Sequence, residues 1–160
     1  MKKIVLAAVV ATAATIAVPA AAAPGDTATT TGSATATIVA PISISHDAAS
    51  LNFGVLVSPS AASQVTVVGA NATVTSGDAV QLGTGGSDSF TVTGDAGRSF
   101  AIVTGGNTMG GMSFTTTAPA SGTIGAGGST QFSVGGVLNI PASQAAGVYT
   151  TTYNATVTYN

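Results

Sequence analysis

The sequence predicts an all-β chain folded as an antiparallel sandwich, and three observations predict it. Apolar residues alternate with Thr and Ser in short runs, as in "SFTVT" at residues 89 to 93, which is the two-residue period of a half-buried strand. Glycine clusters such as "GTGG", "GGNTMGG" and "GAGGST" separate those runs as turns. Past residue 22 no stretch places apolar residues at i, i+3, i+4 and i+7, and glutamate, a strong helix former, is absent.

At the start, Lys2 and Lys3 precede the alanine-rich run Ile4 to Val18, Pro19 interrupts it, and Ala20 to Ala23 offer small residues to a signal peptidase. This is the pattern of a bacterial secretory leader. A membrane-spanning helix needs about 20 apolar residues, and the flank "PAAAAPGDTATTTG" supplies no stop-transfer charge, so no transmembrane helix is expected in the mature chain. Cleavage is expected after Ala22, with Ala20 third back, because a cut after Ala23 would set Pro24 against the scissile bond. Residues 1 to 22 are then the signal peptide, and the product is exported to the periplasm, the cell surface or the medium.

Residues 23 to 33 have almost no apolar bulk and read as a flexible segment, followed by one domain over 34 to 160. Alternation predicts strands over 34 to 45, 51 to 57, 64 to 68, 71 to 75, 79 to 82, 88 to 94, 98 to 104, 112 to 117, 130 to 140 and 148 to 159. Between the sixth and seventh, Asp95-Ala96-Gly97 reads as a three-residue hairpin loop with Gly97 left-handed. That loop pairs Gly94 with Arg98, sets Val92 against Phe100 and Phe90 against Ile102, and puts all four side chains on one face. Along 130 to 140, Phe132, Val134, Leu138 and Ile140 share a parity that Gly135-Gly136 interrupts, which predicts a bulge or a close backbone approach.

Composition excludes several functions. Beyond the leader the one cation, Arg98, stands against Asp26, Asp47, Asp78, Asp88 and Asp95, for a net charge near −4. No basic patch is available for nucleic acid or an anionic membrane surface. Cysteine is absent, which removes disulfides and thiolate chemistry. His46 beside Asp47 in a serine-rich chain allows a Ser-His-Asp set by counting alone, yet no G-x-S-x-G elbow is present, and a surface or turn histidine is the simpler reading. One histidine without Glu or Cys does not make a zinc site, the aspartates are too dispersed for calcium, and a phosphate loop would need a lysine. No catalytic residue, cofactor or metal site is expected. A carbohydrate-binding surface is the alternative for a secreted β-sandwich, but the chain has no Trp, and its three tyrosines share one parity of one strand.

What remains is the strand edges. Soluble β proteins guard open edges with Lys, Glu, Pro or bulges, and here charged residues are 5% of the chain, which leaves few guards. The stretch "SATATIVAPISIS", residues 33 to 45, alternates and could serve as the first strand or be donated to a neighbour, with Ile38, Ile42 and Ile44 as pocket-filling side chains. The stretch "GVYTTTYNATVTYN", residues 147 to 160, puts Tyr149, Tyr153, Ala155, Val157 and Tyr159 on one face and carries no charge.

That last segment resembles the end of chaperone-usher pilin subunits, in which a glycine about fourteen residues from the C-terminus opens a final strand with a penultimate tyrosine. Gly147 and Tyr159 hold those places. Over nearly the whole mature chain, "ATATIVAPISI", "LNFG", "FTVTGDAG", "LGTGGS" and the run from "GTIGAGG" to the end resemble the bacterial secreted family called domain of unknown function 4402. The resemblance to pilins implies an immunoglobulin-like, pilin-like sandwich. It implies assembly by strand complementation along an edge marked by Gly147, Tyr149, Tyr153, Val157 and Tyr159. It also implies a periplasmic chaperone, an outer-membrane usher and further copies of the chain as partners, in a fimbrial or adhesive surface role. The alternative is a self-complete monomer that binds carbohydrate or another surface component.

Overall fold

A computed structural model describes residues 24, 25 and 27–160; the leader expected over residues 1–22 lies outside them. The chain divides into two units, Met1–Ala36 and Thr37–Asn160. In the first, residues 27–36 are exposed and belong to no strand. The second is all-β, its antiparallel sheets curled into a half-barrel, with no helix among the described residues.

The main sheet runs in the order β1 (Ser43–His46), β6 (Asp88–Thr93), β11 (Ser129–Ile140), β3 (Ser63–Val68) and β4 (Asn71–Ser76). β9 (Met112–Thr117) lies along the opposite edge of β11 from β3, with β8 (Asn107–Met109) beyond it. A second sheet has the order β10 (Ser121–Thr123), β7 (Ser99–Thr104) and β12 (Ala155–Tyr159), and β2 (Leu56–Val57) pairs with β5 (Val80–Gln81) in a small ladder.

β11 organises the main sheet because it changes partners midway. Its first half, Ser129 to Val134, pairs with β6, and from Gly136 to Ile140 it pairs with β3 on one side and, from Gly135, with β9 on the other. The two glycines sit at that exchange. A Cβ at Gly135 would come within 2.3 Å of the Val67 carbonyl oxygen, and one at Gly136 within 2.5 Å of the Thr115 oxygen. The expected close backbone approach is therefore present, with a strand edge on each side.

Alternation survives throughout the sheets. Val65 and Val67 on β3, Phe90 and Val92 on β6, Phe100 and Ile102 on β7, and Phe132, Val134, Leu138 and Ile140 on β11 are all buried. Burial of one face of each strand fixes its register, since a one-residue slip would expose the whole apolar set. The buried side chains form two clusters. One holds Phe53, Val65, Val67, Met112, Phe114, Leu138 and Ile140; the other holds Phe90, Val92, Phe100, Ile102, Ile124, Phe132 and Val134. Tyr153 packs against both, edge-on to Phe90 and to Phe114 with ring centroids 6.2 and 6.1 Å away.

The hairpin expected at Asp95-Ala96-Gly97 does not form. β6 pairs with β1 and β11, whereas β7 pairs with β10 and β12, so residues 94 to 98 carry the chain from one sheet to the other. Gly97 does have φ +79°, and its N–H donates to the Ile124 carbonyl. Phe90, Val92, Phe100 and Ile102 do share one cluster, but they meet across the gap between sheets. Parity reports which face is buried and is silent on whether its partner is beside it or opposite.

Several predicted strands are shorter in the structure, among them the 79 to 82 run, of which only Val80–Gln81 pairs. Pairing in the 34 to 45 run begins only at Ser43; Pro41 has no N–H to give a ladder, and residues 34 to 41 have no ladder partner among the described residues. The 51 to 57 run reduces to β2 and an isolated bridge from Asn52 to Gly86. The 148 to 159 run pairs only from Ala155 onward. β8 and β10, three residues each, were not predicted, because runs that short in glycine-rich sequence carry no readable period.

Candidate functional site

β12 lies at the edge of the three-stranded sheet. Its register with β7 pairs Ala155 with Thr104 and Tyr159 with Phe100. At its two ends the Gly105 N–H donates to the Asn154 carbonyl, and the Asn160 N–H donates to the Ser99 carbonyl. In an antiparallel ladder hydrogen-bonded and non-bonded pairs alternate, so the even residues of β12 direct their backbone groups at β7. The odd residues, Ala155, Val157 and Tyr159, direct theirs away from it, onto an edge with no ladder partner among the described residues. Unpaired donors and acceptors in a row are the template on which another strand pairs.

The same odd residues turn their side chains inward. Tyr149, Tyr153, Ala155, Val157 and Tyr159 are half-buried, while Val148, Thr150, Thr152, Asn154, Thr156 and Thr158 are exposed. The inward face expected of this segment is thus present even where no ladder forms. Gly147 does not open a strand. Instead Tyr149 lies over Gly110 with its hydroxyl donating to the Ala145 carbonyl at 2.8 Å, and the Asn107 side-chain amide holds Thr151 and Thr152.

Tyr159 is anchored at both sides of its hydroxyl. It accepts from the Asp95 N–H at 2.8 Å and donates to the Ala40 carbonyl at 3.1 Å. The ring can come so close only because residue 94 is glycine: a Cβ there would stand 2.2 Å from the phenol oxygen. Tyr159→Phe is expected to cost about 1 kcal/mol, read as a lower urea midpoint, because it loses one part-buried and one exposed hydrogen bond. Gly94→Ala should cost more than Tyr159→Phe, since it expels the ring as well.

Tyr153 reaches across the core to Asp88, the one buried carboxylate among the described residues. Its hydroxyl donates to Asp88 Oδ2 at 2.7 Å, while Asp88 Oδ1 takes the Ser89 N–H and His46 Nε2, each at 2.7 Å. Asp88 is 4% exposed, and three partners satisfy a charge that would otherwise be costly to bury. β1, β6 and the C-terminal segment are tied together through this one side chain. Burial, reinforced by the hydrogen bond to Asp88 and by its negative charge, pushes the Tyr153 phenol well above its usual range.

His46, weighed for a hydrolytic triad, has Asp88 as its hydrogen-bond partner, and Ser89 Oγ donates instead to Asp47. Its ring also packs against Phe90, 5.1 Å between centroids. Among the described residues no three His, Cys, Asp or Glu side chains are grouped to hold a metal ion.

The candidate donor residues separate. Ile42 and Ile44 pack against the chain's own Phe90–Phe100 cluster, whereas Ile38 is 96% exposed. Sequence reasoning missed the Asp88 network, although a signal existed: Asp88 shares the parity of Phe90 and Val92, and a carboxylate on a core face must find donors.

A family model described as "Domain of unknown function (DUF4402)" matches residues 42–159. Comparison with curated proteins and with solved structures finds no match.

Proposed function

The chain belongs to the DUF4402 family, whose description assigns no activity, and from its edge geometry we propose that it is a non-catalytic structural or adhesive surface subunit, pilin-like, that takes up a strand along β12. The observation that carries this reading is the odd-numbered row of backbone groups at Ala155, Val157 and Tyr159, uncharged and without a ladder partner among the described residues. The exposed alternating segment ahead of β1 supports it. In this reading the leader exports the chain, a periplasmic chaperone holds the edge, an usher passes the subunit outward, and the mature protein stands at the cell surface.

Because Ile42 and Ile44 belong to the chain's own core, the informative deletion stops short of them. Removing residues 24–38 is expected to leave the domain folded, with a melting temperature within a few degrees of the full chain, and to abolish the ladder of multimers on an unboiled gel. A full chain that gives no multimers at any concentration, or a truncated one that gives the same ladder, contradicts strand uptake.

A further inference from the structure

We propose that Thr91 and Gln131 join in an ester bond between β6 and β11, formed by the chain itself with Asp47 moving the proton, so that a domain without disulfides carries a covalent staple in its main sheet. This stands or falls independently of whether β12 receives a strand.

The sheet places the reacting groups. Thr91 and Gln131 are directly opposed in the antiparallel ladder of β6 and β11, so their side chains leave the same face as neighbours. Thr91 Oγ1 lies 3.2 Å from Gln131 Nε2, which is one bond from the carboxamide carbon Cδ. Asp47, just past the end of β1, is held over the pair by its own N–H, which donates to the Ser89 carbonyl at 3.0 Å. Its Oδ1 accepts from the Thr91 hydroxyl at 2.9 Å, and its Oδ2 faces Gln131 Nε2 at 3.3 Å while accepting from the Ser89 hydroxyl at 2.8 Å. A carboxylate only accepts, so the Thr91 proton points at Asp47 and the amide turns its nitrogen, not its oxygen, toward the other two groups.

The combination sets this position apart from ordinary surface hydrogen bonding. Among the described residues a hydroxyl also meets a side-chain amide at Thr151 with Asn107 and at Ser99 with Asn160, but no carboxylate bonds to either pair. Only at Thr91 and Gln131 do a nucleophile, an acyl carbon and a base come together.

The step balances without any co-reactant. Thr91 Oγ1 attacks Gln131 Cδ as its proton passes to Asp47; the proton is then delivered to Nε2, the Cδ–Nε2 bond breaks, and ammonia leaves. One C–O bond replaces one C–N bond, nothing is oxidised or reduced, and Asp47 returns to its carboxylate form. Its two oxygens already stand at the two ends of that transfer, Oδ1 at the nucleophile and Oδ2 at the leaving nitrogen. A hydroxyl attacks an amide slowly, but this reaction occurs once per chain, between groups that the ladder keeps in contact. Gln131 is exposed, so the ammonia escapes to solvent and the reverse reaction has no partner.

The sequence supplies the assay. Arg98 is the one basic residue beyond Lys3, so trypsin cuts the body of the chain once, between Thr91 and Gln131, and no cysteine can hold the two fragments together. The full chain, denatured, cut with trypsin and run on a denaturing gel, is expected to stay as one band in most molecules, and the uncut protein to weigh about 17 Da less than its sequence, the mass of the lost ammonia. Hydroxylamine, which cleaves esters and spares peptide bonds, should release the two fragments. Thr91→Val and Asp47→Asn are each expected to give at least about tenfold less linked material, whereas Thr91→Ser keeps the nucleophile and should link. Fragments that separate without hydroxylamine overturn the ester, whether the mass equals the sequence value or stands about 1 Da above it through simple hydrolysis of the Gln131 amide. Linkage that survives Thr91→Val overturns the assignment of the nucleophile, and linkage as complete in Asp47→Asn as in wild type overturns the role of Asp47.

Discussion

Tyr153→Ala is expected to destabilise the domain by about 4 kcal/mol, which approaches the whole stability of many domains of this size. The ring stands edge-on to Phe90 and Phe114, one from each core cluster, so its removal opens a cavity that neither cluster can close alone. It also strips Asp88, 4% exposed, of one of its three donors. Tyr153→Phe separates the two contributions: it keeps the packing and should cost about 1.5–3 kcal/mol for the lost bond to a buried carboxylate. Urea denaturation followed by near-ultraviolet circular dichroism measures both. The phenol also sets an alkaline limit. Its folded pKa is raised, so its contribution to stability is complete below the unfolded value near pH 10 and declines above it, where only the unfolded chain releases the proton. Tyr153→Phe should flatten that decline between about pH 10 and 12. An unchanged alkaline profile in Tyr153→Phe would show that the hydroxyl is not held by Asp88.

The second large effect is expected at Gly135. Gly135→Val would drive a Cβ into the Val67 carbonyl oxygen, 2.3 Å away, and backbone on the neighbouring strand cannot swing aside as a side chain can. A cost of about 3 kcal/mol or more is expected, and soluble yield should fall with it. Gly127→Val is the matched control: no atom lies within 4 Å of its Cβ position, and its stability should stay within about 0.5 kcal/mol of wild type. If the two variants melt alike, the partner exchange on β11 does not depend on the missing side chain.

Most strands were legible because period-2 alternation and glycine punctuation agree, as on β3, β6, β7, β9 and β11. What failed was pairing. Nothing in "TVTGDAGRSF" distinguishes a hairpin, with strands side by side, from an arch, with strands on facing sheets, because both bury the same parity. Strand ends failed where the pattern ran past the available partner, as at Ala34 to Pro41 and Val148 to Asn154. Of the candidate site, the inward tyrosines were readable from parity alone. The backbone polarity of the β12 edge was not, since it depends on which residues of β7 lie opposite, and that is a property of the assembled sheet.

The pairing pattern also bears on how fast the domain can form. β3 with β4 and β8 with β9 join chain neighbours, but β1 reaches β6 through Ser43 and Thr93, β3 reaches β11 through Val65 and Leu138, and β7 reaches β12 through Phe100 and Tyr159. Closing such distant contacts carries its entropy cost before any reward, so a topology of this kind belongs with the slow folders, in the millisecond to second range or beyond. During that interval the uncharged strands would stand exposed in an aggregation-prone chain, and anything that captured β12 early would act on folding as much as on assembly.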